Sequence, residues 1–255
     1  MFNRILSLSR LFLFSPSRAA DASLEEENLA PCLWIYLAFM AGYILFFAVK
    51  PFDLPDQSSA FPREPQTLMF WFKVVLWQPP LEAAWIAFLL GLVAWLREGA
   101  LPVRLASALT WTAAPYVLTA VYYAAKGGMS KTALAAGSLV WLGLFVPLWR
   151  RASRAEVVSL ATFMLGVNAV GVAALAPMTL AALAGSSGLF MASQAAGGFW
   201  ILVCGTLGLR RLTGLRLPRA FMAMLLSMFF QIALALTLHF LGLVPKDILK
   251  ALLYA

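Results

Sequence analysis

Ser187 and His239 are the two side chains of this sequence whose types could form a catalytic pair. Ser187 belongs to the Gly-Ser-Ser-Gly stretch at 185–188, and His239 is the only histidine of the chain. A histidine within hydrogen-bond reach of a serine hydroxyl can accept its proton and make the oxygen nucleophilic. Both residues lie in or beside apolar runs, so the pair would predict a hydrolase that works inside a membrane.

Four other polar residues could carry a different chemistry, because transporters need polar groups at membrane depth. Glu82 lies at the start of an apolar run, whereas Asn168, Gln194 and Gln231 lie within later runs. Neutral side chains of this kind form hydrogen bonds between helices that are worth about 1 kcal/mol or less each. If the four residues faced one water-accessible hollow they would indicate transport, and at separate helix contacts they would indicate packing.

The two cysteines are the remaining candidates for metal or redox chemistry. Cys32 and Cys204 lie in or beside apolar runs, neither belongs to a Cys-x-x-Cys pair, and His239 alone cannot complete a metal site with them. We therefore expect buried free thiols. Our prediction is a protein without cofactor, catalytic, cofactor-binding or metal-binding residues, and the Ser187–His239 pair is the alternative.

Composition indicates which elements must position these residues. Of the 255 residues, 62% are hydrophobic and 12% are charged, whereas a soluble domain has about 25% charged residues. One hydrophobic core cannot bury so much apolar surface, so we predict a polytopic membrane protein. The basic residues behind the net charge of +8 lie in short loops, where they favour anionic lipid headgroups over nucleic acid as partners.

The apolar runs are long enough for transmembrane helices, which need about 20 residues. They lack the apolar–polar alternation of barrel strands, and a helix satisfies its own backbone polar groups in lipid. The fold class is therefore predicted to be an all-α transmembrane bundle, with five to seven spans because two runs are short. The candidate spans lie near residues 31–49, 81–96, 101–125, 132–149, 157–176, 189–209 and 220–244.

The loops differ in their content of basic residues, and cytoplasmic loops carry the excess of lysine and arginine. With the amino terminus inside, seven spans place 12 basic residues on the cytoplasmic side and 7 on the other. Four arginines within 210–219 would hold a helical hairpin at the cytoplasmic headgroups. The cytoplasmic set is Arg4, Arg10, Arg18, Arg97, Arg104, Arg150, Arg151, Arg154, Arg210, Arg211, Arg216 and Arg219; the other set is Lys50, Arg63, Lys73, Lys126, Lys131, Lys246 and Lys250.

Residues 1–30 precede the transmembrane domain, which we assign to residues 31–255. In FNRILSLSRLFLF the apolar residues fall mostly on one helical face, which predicts an amphipathic helix at the cytoplasmic membrane interface. The acidic stretch SLEEENLA is expected to form a solvated turn before the first span. The abundance of arginine and serine before Asp21, without any acid, also fits a mitochondrial transit peptide.

A proline-rich polar loop separates the first two spans and leads into the aromatic stretch LMFWFKVVLWQPP. Trp71, Trp77 and Lys73 are residue types that favour the headgroup level of a membrane. Residues 66–78 are therefore expected to form an interfacial helix or a re-entrant hairpin.

One part of the sequence resembles the rhomboid intramembrane proteases. The stretch at 185–188 is similar to their Gly-x-Ser-Gly motif, and His239 followed by Gly242 resembles their second motif. The resemblance implies Ser187 as nucleophile and His239 as its base. The sequence departs from the family pattern because large residues flank His239 and a second histidine for the oxyanion site is lacking.

A second resemblance, to the Yip family of Rab-interacting membrane proteins and their bacterial relatives, covers both ends and the middle of the chain. The family has a tryptophan in the penultimate span, then Gly-Leu-Arg, a Thr/Ser-Gly turn and a Lys/Arg-Ala start of the last helix. It also has an amino-terminal Pro-x-Arg-Ala block and a proline after alanines in the third span. The matching residues are Trp200, Gly208, Leu209, Arg210, Thr213, Gly214, Arg219, Ala220, Pro16, Arg18, Ala19 and Pro115. Five spans are usual in the family, so the pair within 132–176 would be extra.

The Yip resemblance implies a non-enzymatic integral membrane protein. Eukaryotic members bind small GTPases, but 13 arginines against 6 lysines favour a GC-rich bacterial genome. We expect an accessory or scaffolding subunit of the bacterial cytoplasmic (inner) membrane that contacts the bilayer, anionic headgroups and other membrane proteins. A small GTPase would be a partner only in a eukaryote, and nucleic acid is not expected. A transporter or channel subunit is the alternative, followed by the protease.

Overall fold

The computed structural model describes residues 1–49, 67–125, 129–150 and 152–254, which are α-helical without any strand. This architecture confirms the predicted all-α fold class. The helices are α1 (Phe2–Phe14), α2 (Pro16–Ala22), α3 (Leu29–Val49), α4 (Leu68–Val75), α5 (Gln78–Leu96), α6 (Leu101–Ala124), α7 (Lys131–Gly143), α8 (Val146–Trp149), α9 (Arg154–Leu183), α10 (Ser187–Thr213), α11 (Leu217–Phe240) and α12 (Lys246–Tyr254), with a 3-10 turn at Glu26–Asn28.

Six helical stretches in the described ranges are long and apolar enough to cross a membrane. Their number confirms the prediction of five to seven spans for an integral membrane protein. The six stretches are Glu26–Ala48, Leu68–Leu96, Lys131–Trp149, Arg154–Leu183, Ser187–Thr213 and Leu217–Phe240.

The predicted span at 101–125 forms helix α6 but is not one of these six. Threonines, tyrosines and a proline lower its mean hydropathy. α6 nevertheless runs beside α11 from end to end. Arg219 at the start of α11 bonds to Gly99 just before α6, and Phe240 at the end of α11 packs against Tyr122. The described chain therefore passes through the bundle seven times.

The second span begins earlier than the predicted 81–96. α4 leads through a turn at Leu76 and Trp77 into α5, so that one apolar stretch runs from Leu68 to Leu96. Of the segment 66–78, expected to be interfacial or re-entrant, the described residues form α4 and the turn into α5, and residue 66 lies outside the described ranges. Phe70 and Trp71 are buried against α3 and α12, because these rings find aromatic partners inside the bundle.

Three other spans differ from prediction at their ends. α9 continues past the predicted 157–176 to Leu183, since a proline such as Pro177 is tolerated where neighbouring helices satisfy the freed backbone groups. α10 extends the predicted 189–209 on both sides. α11 ends at Phe240 rather than 244, because Gly242 adopts a φ of 84° and reverses the chain.

Three contacts gather the amino-terminal segment and three helix connections at one end of the bundle. Arg97 pairs with Glu156 at 3.0 Å, which joins the end of α5 to the start of α9. Arg211 at the end of α10 pairs with Asp21 of α2 at 2.7 Å. Arg219 joins the start of α11 to the end of α5. We call this end, formed by residues 1–28, 97–104, 150, 152–156 and 210–219, the arginine end.

The other end of the bundle, which we call the opposite end, contains α4, α12 and residues 129–131, 183–187 and 240–245. Trp71 of α4 packs against Tyr43 near the end of α3, and α12 packs against α4 and α11. Every described arginine lies at the arginine end, and every described lysine lies at the opposite end. Of the basic residues in the predicted split, Arg151, Lys50, Arg63 and Lys126 lie outside the described ranges.

Aromatic side chains fill the core between α5 and α11. Phe88 and Phe230 stack with ring centroids 3.7 Å apart, and both rings are buried. One turn away, Trp85 Nε1 donates a hydrogen bond of 2.7 Å to Ser227 Oγ. The polar tip of this tryptophan is therefore satisfied within the protein, as a buried indole N–H requires.

α1 is amphipathic, as predicted, and part of its apolar face packs on the bundle. Phe12 is fully buried, and a Cβ atom at Gly166 of α9 would overlap its ring. Phe163 packs against Phe12 with ring centroids 5.5 Å apart, and its own ring lies where a Cβ atom of Gly208 in α10 would be. Two glycines thus let α1, α9 and α10 approach closely.

Substitution of Gly166 by alanine is expected to destabilise the protein by about 1–3 kcal/mol, because the added methyl group displaces a buried ring. Thermal unfolding of the purified protein in mild detergent measures this effect. Gly143→Ala is the matched control, since a Cβ atom at Gly143 meets no atom within 4 Å. Equal unfolding temperatures for the two variants would contradict the docked position of α1.

Candidate functional site at the arginine end

The two residues of the possible catalytic pair are not hydrogen-bonded to each other in the described structure. His239 Nδ1 lies 2.8 Å from the carbonyl oxygen of Val244, and its ring contacts Phe240. Ser187 is the first residue of α10, and Ser186 before it caps that helix by accepting from Leu189 N–H. His239 thus bonds to the chain just beyond α11, and Ser187 lies at the start of α10.

The four polar residues considered for transport line neither of the two cavities described below. Asn168 Nδ2 donates to the carbonyls of Met164 and Leu165 in its own helix, at 3.2 and 3.3 Å. Glu82 is buried, with 5% of its surface exposed. Asn168 thus bonds within its own helix, whereas Glu82 lies buried inside the bundle.

Cys32 and Cys204 are free and buried, which confirms the expected state of both thiols. Cys204 Sγ donates a hydrogen bond of 3.4 Å to the carbonyl oxygen of Phe12. Among the described residues, no group of three or more His, Cys, Asp or Glu side chains could hold a metal ion.

The loop at 210–219 is built by a helix end that glycine makes possible. α10 ends at Thr213, whose Oγ1 donates to the carbonyl of Leu209 at 2.6 Å. Gly214 then adopts a φ of 69°, a left-handed conformation that glycine adopts without steric cost. Leu215 follows and is buried. The chain therefore turns within a few residues and α11 starts beside α10.

Arg219 connects this loop to the end of α5. Its guanidinium donates to the carbonyl oxygens of Leu96, Arg97 and Gly99 at 2.6, 3.0 and 2.7 Å. The last carbonyls of a helix lack partners within that helix, and a cation near them also interacts favourably with the helix dipole. Arg219 thus caps α5 and fixes the start of α11 beside it.

The amino-terminal segment is held against α10 along its length. Trp200 Nε1 donates to the carbonyl of Leu13 at 3.2 Å, and Arg211 pairs with Asp21. α2 packs against α10, with Ala19 fully buried. The first 28 residues therefore form part of the arginine end. They pack against the bundle, whereas the sequence predicted an amphipathic helix at the membrane interface.

The acidic stretch before α3 is exposed, as expected of a solvated turn, but it also binds α1. Arg4 pairs with Glu27 at 3.0 Å and with Glu25 at 3.4 Å, and its Nε donates to Asn28 Oδ1 at 2.7 Å. Sequence reasoning missed this contact. The available signal was charge complementarity, since this is the main acidic cluster near a basic helix.

A cavity of about 270 Å³ opens at the arginine end between α5, α9 and α10. The Arg97–Glu156 ion pair forms part of its wall, and its other polar residues are Glu98, Ser159 and Thr213. Its apolar floor includes Leu160 and Leu90. A cavity of this kind, polar at the rim and apolar at the base, can accommodate a lipid headgroup with the start of its chain.

Six arginines around this end are exposed and form no ion pair with any described residue. Since anionic headgroups attract such clusters, this surface can bind the charged face of a membrane. The six residues are Arg10, Arg18, Arg150, Arg154, Arg210 and Arg216.

Comparisons with known proteins give no match to any family model, curated protein or solved structure. Function is therefore inferred from the geometry of this chain.

Arg219→Ala is expected to destabilise the protein by about 1–2 kcal/mol, because three carbonyl oxygens lose a charged donor that is partly exposed to solvent. Arg216→Ala, at an exposed arginine in the same loop, is the matched control and should stay within about 0.5 kcal/mol of the parent. Thermal unfolding in mild detergent compares the two variants. An equal loss for both would mean that Arg219 does not cap α5.

Proposed function

We propose that this integral membrane protein is a non-enzymatic accessory or scaffolding subunit, which packs against another transmembrane protein through α10. The observation that carries this proposal is an outward-facing row of small residues, Gly188, Ala192 and Ala196, spaced one helical turn apart. Residues of this type let two transmembrane helices approach closely, with small residues at every fourth position.

α10 has the most exposed surface of the six apolar spans, since only 17% of its apolar window is buried in the bundle. Gly188 and Gly198 face open space, because a Cβ atom at either position meets no atom within 4 Å. Phe199 and Trp200 follow the small residues and are also exposed. The row of small residues thus lies beside bulky aromatic side chains on the exposed side of α10. A partner helix can pack more closely against such a surface than lipid chains do.

A shallow groove of about 390 Å³ lies between α9 and α10, and Ala192 and Ala196 of the row form part of its lining. Small residues of both helices line it, among them Ala173, Ala174, Ser193 and Gly197, and Trp200 closes it towards the arginine end. The groove widens the surface that a partner helix could occupy.

Membership of the Yip family is part of the proposal, and it rests on the sequence resemblance. It is supported by the proximity of motif residues that are far apart in sequence. Trp200 contacts the segment before Pro16, and Ala19 lies in the helix that packs on α10. Gly214 forms the turn between α10 and α11, and Arg219 bonds the start of α11 to the end of α5.

We place the arginine end at the cytoplasmic face of a bacterial inner membrane, since cytoplasmic loops carry the excess of basic residues. Its six unpaired arginines would then contact anionic headgroups. A small GTPase would be a partner only in a eukaryotic cell. A transport subunit is the second candidate, and the buried Glu82 favours it.

Ala192→Leu is expected to abolish association with the partner, because a large side chain separates the two helices. The measurement is the size and composition of the complex that co-purifies in mild detergent from native membranes. Ala113→Leu is the matched control, since Ala113 is exposed on α6 and lies away from the row. A wild-type chain that purifies alone, or an Ala192→Leu variant that retains its partner, would contradict the proposal.

A further inference from the structure

Glu82 is an acidic side chain in the middle of the bundle. It lies midway along the apolar stretch Leu68–Leu96, and 5% of its surface is exposed. Its carboxyl group interacts electrostatically with the hydroxyl of Tyr36, which lies near the middle of the stretch Glu26–Ala48. Two helices that run in opposite directions thus place these groups at the same depth.

One polar atom of each side chain lacks a hydrogen-bond partner among the described residues. Glu82 Oε1 and Tyr36 Oη are fully buried, and neither has a donor or acceptor within reach among the described residues. Buried polar atoms in native proteins are nearly always hydrogen-bonded. Such an orphaned pair at membrane depth therefore indicates a functional group rather than a packing residue.

No cation compensates the carboxyl group of Glu82 from the described helices around it. The charged groups of α6, α9 and α11 that reach α5, namely those of Arg104, Glu156 and Arg219, all lie at its arginine end. Lys73 of α4 is exposed. His239 of α11 lies about three turns beyond Ser227, the residue that contacts Trp85 near Glu82. Tyr36 is therefore the titratable group that faces Glu82.

Two further buried polar atoms without a partner lie where α3 meets α4 at the opposite end. Tyr43 is two turns beyond Tyr36 on α3, and its ring packs edge-on against Trp71 of α4 at a centroid distance of 5.9 Å. The hydroxyl of Tyr43 and Nε1 of Trp71 are both buried without a partner. Buried polar groups thus recur along α3, from Tyr36 to its interface with α4 at the opposite end.

We propose that Glu82 is a proton-binding site at the centre of the bundle, which takes up and releases one proton through the polar groups that lead to the opposite end. A proton fits this site better than a metal cation, because one carboxyl group and neutral hydroxyl and indole groups supply too few oxygen ligands for an ion such as Mg²⁺ or Ca²⁺. The partner surface on α10 does not enter this inference.

The test labels the full-length protein in lipid vesicles with dicyclohexylcarbodiimide, an apolar reagent that reacts with protonated carboxyl groups. The acid O–H adds across a C=N bond of the reagent, and the product rearranges to a stable N-acylurea that mass spectrometry locates. We expect an adduct on Glu82 at acidic pH whose yield falls at alkaline pH.

Glu82→Gln removes the reactive carboxyl and should abolish this adduct, while Glu98→Gln, at an exposed acid beyond the end of α5, should leave it unchanged. The wild-type result decides the question even if a variant folds poorly. Absence of a Glu82 adduct at acidic pH, or an equal yield at both pH values, would overturn the proposal. Labelling needs no partner protein, so its outcome is independent of the co-purification experiment.

Discussion

The exclusion of charge from the apolar interior of the membrane is the constraint on which this structure depends. It confines basic residues to the two ends of the helices, and the described arginines all lie at one end while the described lysines lie at the other. Arginine offers several donors in a planar fork, and Arg219 uses them on three carbonyl oxygens of the α5 connection. The arginine end is therefore a bonded structure as well as a charged surface.

Close approach of helices is the second feature that the membrane favours, because lipid offers no hydrophobic driving force between helices. Inside the bundle, Gly166 and Gly208 admit the rings of Phe12 and Phe163, so the amino-terminal helix becomes part of the core. On the outside, α10 presents the exposed small residues Gly188, Ala192 and Ala196. The same kind of residue thus serves internal packing and the proposed association.

The sequence allowed prediction of the fold class, the range of spans and the grouping of the arginines, because hydropathy and loop charge act locally along the chain. It could not predict the docking of α1, since a fit such as that of Phe12 at Gly166 depends on three-dimensional complementarity. It also placed Glu82 at the mouth of a span. In the structure α4 continues into α5, so Glu82 lies midway along one apolar stretch. No local sequence pattern distinguishes such a continuation from an interfacial helix.

The central claim is that the arginine end and the opposite end lie on different sides of a membrane. Single cysteines at Arg10→Cys and Lys246→Cys, both exposed positions, test it directly, because the native Cys32 and Cys204 are buried. A membrane-impermeant maleimide added to intact cells should label Lys246→Cys at once and Arg10→Cys only after permeabilisation. Labelling of both positions in intact cells, or of Arg10→Cys alone, would contradict the account.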